Sequence, residues 1–175
     1  MKTLVIAAHP NMEGSTINST WVKRLRKEEG EITVHELYAA YPDGKIDVER
    51  EQQLLLQHDR IVFQFPFYWY SSPSLLKEWQ DVVLAYGWAY GSQGTNLHGK
   101  EFMLVTSTGG PEAAYQAGGY NHYSMSELTK PFQAMANLTG MRFLPTFTLQ
   151  GVRFLSSDEV QESAERLVEQ LKAKF

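Results

Sequence analysis

The sequence predicts an α/β three-layer sandwich: a five-stranded parallel sheet in the order 2-1-3-4-5 with helices on both faces. Three observations lead there. Short continuous apolar runs alternate along the chain with runs at helical spacing. The strand-like runs do not alternate apolar with polar residues, as expected for strands covered on both faces. The alternation is regular, βαβαβαβαβα, which calls for a parallel sheet, and five strands suit the doubly wound order.

Taken in order, Leu4 to Ala8 is the first apolar strand, and Ile17, Trp21, Val22 and Leu25 follow at helical spacing. Ile32 to Leu37 is a second strand, Asp47 to Gln57 a helix, and Ile61 to Phe65 a third strand. After Pro73 comes the clearest helix, with Leu75, Leu76, Trp79, Val82, Val83 and Tyr86 on one face. Phe102 to Val105 is a fourth strand. Phe132 to Leu138 is a helix that Gly140 ends. Phe143 to Leu149 is a fifth strand. Ser156 and Glu159 form a capping box for a last helix carrying Val160, Ala164, Leu167, Val168 and Leu171 on its apolar face. Residues 1–175 read as one domain with no linker or repeat. Two connections are long, Tyr86 to Lys100 and Gly109 to Glu127, and long connections in such domains are usually functional.

Composition narrows the function. A hydrophobic fraction of 43% supports a packed core, and a formal net charge of -4 without an arginine-rich tract argues against nucleic-acid binding. The chain has no cysteine, which excludes disulfides, thiolate metal sites and thiol catalysis and fits a cytoplasmic protein. The N-terminal apolar run is short and stops at His9-Pro10, so it reads as a buried strand rather than a signal peptide. No run approaches the length of a membrane span. Neither HExxH nor GxSxG occurs, so a zinc hydrolase and a serine hydrolase are disfavoured and no metal is expected.

Sheets of this order bind ligands beyond the carboxyl ends of the strands where strand order reverses, here after strands one, three and four. The first of these loops runs from His9 to Asn18. It opens a helix, whose free N–H groups and positive dipole end suit a phosphate, and Ser15, Thr16 and Asn18 add donors. Ser15 as a plain helix cap is the alternative. The loop is neither a Walker A sequence nor GxGxxG, which disfavours an NTPase or a dinucleotide-first enzyme. The second loop, Gln64 to Pro73, gathers Phe67, Tyr68, Trp69 and Tyr70; a flat cofactor ring or a subunit interface would each use them. The third begins Thr106-Ser107-Thr108-Gly109-Gly110-Pro111, where paired glycines admit close approach of a ligand or simply form a turn. His9 and His122 lie where a ligand would be, whereas His35, His58 and His98 read as structural or surface residues.

At these loops the chain resembles the NAD(P)H:quinone oxidoreductases of the flavodoxin-like superfamily, among them small bacterial members that include ancillary subunits of Kef-type potassium-efflux systems. The matching stretches are Ala8-His9-Pro10, Ser15 to Asn18, Gln64 to Tyr70, Leu75 to Trp79, Gly87 to Gly91, Leu97 to Lys100 and Thr106 to Gly110. The resemblance implies FMN as cofactor, with FAD left open, and NAD(P)H as electron donor. His9, Ser15, Thr16, Ile17 and Asn18 would hold the phosphate and ribityl chain. Pro66, Phe67, Tyr68 and Trp69 would line the isoalloxazine, and Ser107, Thr108, Gly109 and Gly110 would meet its N1/O2 side. Tyr115 matches a tyrosine that stabilises the reduced flavin and His122 resembles its histidine partner, with one residue more between them than the family pattern has. Trp88 and Tyr90 would border the substrate pocket. A homodimer with its site at the interface, a quinone-type acceptor and ping-pong hydride transfer are implied as well. Two alternatives stand beside this: a regulatory subunit held at the inner face of the membrane by a potassium-efflux transporter, and a one-electron flavodoxin-like carrier. The modest charge and the Gly87–Gly91 segment argue against the carrier.

Overall fold

Strand β1 (Thr3–Ala7) is buried along its whole length, and the computed structural model, which describes residues 1–175, sets it inside a parallel sheet. On one side it pairs with β2 (Ile32–Glu36), on the other with β3 (Arg60–Pro66), which pairs with β4 (Glu101–Ser107). The order is β2-β1-β3-β4-β5, as the sequence predicts. The topology is flavodoxin-like.

The last position of the sheet corrects one expectation. Instead of one strand from Phe143 to Leu149 there are two short ones, β5 (Arg142–Phe143) and β6 (Phe147–Leu149), each pairing with β4. Pro145 lies in the gap. Proline has no N–H to give the ladder, so pairing stops at Leu144, whose N–H still reaches Phe102 O, and resumes at Phe147.

The alternating pleat divides the side chains of the sheet between two cores. Leu4, Ile6, Ile61, Phe63, Phe65, Phe102 and Leu104 face helices α2 (Leu37–Ala40), α3 (Val48–Leu56), α4 (Ser74–Val83) and α6 (Lys130–Leu138). Val5, Val62, Met103 and Val105 face α1 (Thr16–Leu25) and α7 (Ser157–Lys172). A one-turn helix, α5 (Met125–Leu128), precedes α6. Helix α4 ends at Val83, so Tyr86, expected on its apolar face, lies instead in the following turn and is exposed. The capping box at Ser156 and Glu159 is formed. Gly140 closes α6 with φ +71°, and Met141 N–H bonds Ala136 O behind it. A Cβ at Gly140 would fall 2.3 Å from the His98 ring, so glycine is needed there for space as well as for conformation.

At the amino end of the sheet, far from the candidate loops, Arg60 is fully buried. Its guanidinium pairs with Glu101 at 2.5 Å and donates to Leu171 O at 2.6 Å and Ala173 O at 2.9 Å, closing the C-terminus of α7. Replacing it by alanine strands the two carbonyls and leaves Glu101 with Arg142 alone. Arg60→Ala is expected to lower unfolding stability by about 3 kcal/mol in urea titration, leaving the opposite end of the sheet intact.

Candidate active site

Three loops leave the carboxyl ends of β1, β3 and β4 and are stitched together beneath the surface. Asn18, one turn into α1, donates through its side chain to Ser107 Oγ of β4 at 3.3 Å. Gln64 of β3 donates to Asn18 O at 3.2 Å. Phe67 N–H reaches Ser107 O at 2.9 Å. Asn18 is therefore a buried structural link as much as a candidate donor.

Above these links opens a cleft of about 390 Å³. It is lined by His9, Ser15, Thr16, Ile17 and Asn18 of the first loop, Pro66, Phe67 and Tyr68 of the second, and Ser107 and Gly109 of the third. A smaller cavity of about 210 Å³ adjoins it through Phe67 and is walled by Trp69, Tyr70, Tyr115, Tyr120 and Asn121. Of the other residues singled out by the sequence, Thr108 is buried and Gly110 sits under Tyr115 and Tyr120. A Cβ on Gly110 would lie 2.6 Å from Tyr120 Oη, so this glycine makes room for tyrosines of its own chain. Trp88 and Tyr90 pack partly against the first core and line neither cavity. His122 is exposed, with φ +62°, and lines neither cavity.

The phosphate-like end has the chemistry of an anion site. Ser15 caps α1 by accepting from Asn18 N–H at 3.1 Å, which leaves the N–H groups of Thr16 and Ile17 with no acceptor in the chain. The first turn of α1 carries no acidic residue, and Glu13 lies outside the cleft lining. Across the cleft the amides of Gly109 and Gly110 also donate to nothing. The Thr108 hydroxyl donates to Gly110 O at 2.8 Å and fixes that turn.

Arg153 completes the cleft, and sequence reasoning missed it. It sits in a 3-10 turn, Val152–Phe154, that follows β6. That turn is tied to the third loop by Gly151 N–H to Gly110 O at 2.8 Å and Val152 N–H to Thr108 O at 3.1 Å. The guanidinium lies against Gly109, where a Cβ would be 3.4 Å from Nε, and it forms no salt bridge. The signal available was position: the turn leaves the carboxyl end of the last strand, the same end as the three loops.

Titration of the site follows from burial. Burial holds the His9 imidazole below the ordinary histidine range. Its Nδ1 accepts from Asn11 N–H at 3.0 Å, so the neutral ring carries its proton on Nε2, a donor. Burial pushes the Tyr115 phenol up. Tyr115 is thus a hydroxyl donor throughout the neutral range. No group of three or more His, Asp or Glu is placed to hold a metal ion.

The second loop turns back through Tyr68 and Ser71, which exchange backbone hydrogen bonds of 3.1 and 2.9 Å. Trp69 and Tyr70 between them have φ of +47° and +61°, a conformation costing bulky residues about 1–2 kcal/mol each. Trp69 is left 93% exposed at the tip. No ordinary core requirement puts a strained tryptophan in solvent, and such strain gathers at functional sites.

A family model described as "Flavodoxin-like fold" matches residues 1–175. The chain belongs to the flavodoxin-like family. Among curated relatives, this flavodoxin-like chain is 62% identical over 173 residues to an uncharacterized NAD(P)H oxidoreductase, YrkL, of Bacillus subtilis, covering 99% of each. It is 48% identical over 143 residues to the glutathione-regulated potassium-efflux system ancillary protein KefG of Yersinia enterocolitica, covering 82% of this chain and 77% of that one. Among solved structures it superposes on general stress protein 14 of Treponema denticola, crystallised with FMN, with TM-score 0.95 and 44% identity over 98% of both chains. An NADPH-quinone reductase from P. pentosaceus gives TM-score 0.91 and 37% identity over the full length of both. No helix of this flavodoxin-like protein is long and apolar enough to cross a membrane.

The lowered His9 pKa carries a stability signature. Below the ordinary histidine value of about 6.5 the unfolded chain binds a proton that the folded protein does not. The stabilisation linked to neutral His9 is therefore complete above that pH and is lost as pH falls from it to the folded value. His9→Gln should flatten this part of the curve when urea midpoints are compared at pH 7 and pH 5.5.

Proposed function

We propose that this protein is a flavin-dependent NAD(P)H:quinone oxidoreductase with FMN as its cofactor. The observation that carries the reading is a single cleft with an uncompensated anion-binding helix start at one side and an aromatic wall with free backbone donors at the other. The residues fit the cofactor. Thr16 and Ile17 amides, the Ser15 and Thr16 hydroxyls and His9 Nε2–H would hold the phosphate. Pro66 to Trp69 would cover the ring face. The amides of Gly109 and Gly110 and the Tyr115 hydroxyl would donate to its pyrimidine edge. A relative crystallised with FMN supports the choice over FAD.

Bound FMN supplies a hydride acceptor and donor, so NAD(P)H and a quinone can use one site in turn. The chain's contribution is position and charge compensation. Fixed donors at the pyrimidine edge meet negative charge where it develops, in the manner of an oxyanion hole. A hydroxyl at Tyr115 gives up no proton in this role; it only donates a hydrogen bond. Phe67, Trp69 and Tyr70 would offer flat surfaces for a nicotinamide or a quinone. Exposed Trp69, Tyr70 and Tyr120 would be covered by a second copy of the chain, closing the site between two protomers.

The similarity to an ancillary protein of a potassium-efflux system supports a second reading, in which the same flavin site serves a membrane transporter and the protein sits at the inner face of the membrane. Co-purification with such a transporter distinguishes it from a free reductase.

Purified protein should show the flavin absorption bands, release FMN on denaturation, and oxidise NADH or NADPH when menadione is supplied. Bound flavin without any such oxidation would remove the enzyme reading. Ser15→Ala should weaken FMN binding about tenfold, the loss of one hydrogen-bonding and capping group. Its kcat at saturating FMN should stay within about twofold, because Ser15 touches the phosphate end only.

A further inference from the structure

We propose that Asn121, and not His122, is the side chain that positions the Tyr115 hydroxyl. The inference rests on the reading of Tyr115 as a donor to the flavin edge and names what orients it.

The chain turns back on itself after Tyr115. A 3-10 turn, Glu112–Ala114, leads into Tyr115, and Asn121 N–H then bonds Ala114 O at 3.1 Å. That bond pins Asn121 beside Tyr115, and both side chains line the same small cavity. The Tyr70 hydroxyl donates to Asn121 Oδ1 at 2.9 Å. With Oδ1 engaged, the carboxamide is left with its NH₂ end to offer the Tyr115 oxygen across the small cavity that both side chains line. An N–H seated on that oxygen leaves the phenol's own proton as the one to donate onward. Tyr70, from the loop after β3, thereby holds Asn121, and Asn121 holds Tyr115 from the loop after β4.

His122 is the residue that the sequence offers for this task, and its surroundings are different. Its side chain forms no hydrogen bond, is exposed, and lies outside both cavities. A carboxamide does not titrate, and the ionisable groups that act on Tyr115 are the phenols of Tyr70 and Tyr120. The donor set at this edge therefore keeps one charge state across neutral pH, which an imidazole partner would not.

The test labels tyrosine with 13C at Cζ and assigns Tyr115 by its loss in Tyr115→Phe. In the flavin-free protein, Asn121→Leu should move the Tyr115 titration to higher pH. Asn121→Asp should move it further, because it keeps an acceptor for Tyr70 but replaces the N–H by a negative charge. Tyr70→Phe, which disturbs the pair least, should give an intermediate shift. His122→Gln should leave the Tyr115 signal where it is. With FMN bound, the two-electron midpoint potential should fall in Asn121→Leu and in Tyr115→Phe and fall no further in the double variant. Asn121→His should restore the potential and make it pH-dependent near neutrality. A Tyr115 signal that moves in His122→Gln but not in Asn121→Leu overturns the proposal, as does an additive fall in the double variant. If wild-type protein binds no FMN, the cofactor reading fails, and the NMR arm alone still decides which side chain holds Tyr115.

Discussion

The site depends on one buried contact, the meeting of Asn18 with Ser107 and Gln64. Parallel strands bring three loops to the same end of the sheet, but strands alone do not fix where a helix start lies relative to its neighbours. Asn18 does so, because its side chain and backbone are hydrogen-bonded into β4 and β3 from inside α1. Such polar links are costly to leave half made, so each partner constrains the others. With α1 clamped, its free amides face the cleft rather than solvent. The same contact places Phe67, through Ser107 O, at the border of both cavities.

The fold was readable because its strands are buried on both faces and its helices carry apolar stripes, two patterns with different periods. Reading failed where a local residue overrode a run. Phe143 to Leu149 looks continuous in hydrophobicity, but Pro145 removes a donor and splits it. Tyr86 keeps helical spacing with Val82 and Val83, yet the backbone has already left the helix at Leu84. Periodicity reports which side chains want burial and says little about where hydrogen bonding stops.

The site was legible in part for the same kind of reason. A helix start after a buried strand marks a phosphate-binding geometry, and an excess of aromatics in a loop marks a surface that needs covering. Arg153 carries no such mark. It reaches the cleft through a 3-10 turn bonded to a loop some forty residues earlier, a relation visible only in three dimensions. Asn121 was hidden by its neighbour: histidine draws attention as a titratable group, whereas Asn121, which lines the same small cavity as Tyr115, is a neutral amide tied to Ala114 by its backbone N–H.

The interruption at Pro145 has a consequence beyond the ladder it breaks. An unpaired sheet edge invites strands from other molecules, and a long regular edge is the usual template for unwanted fibres. Here that margin offers a two-residue piece and a three-residue piece with a proline between them. An approaching strand finds no unbroken row of donors and acceptors. Association along this margin is thereby discouraged.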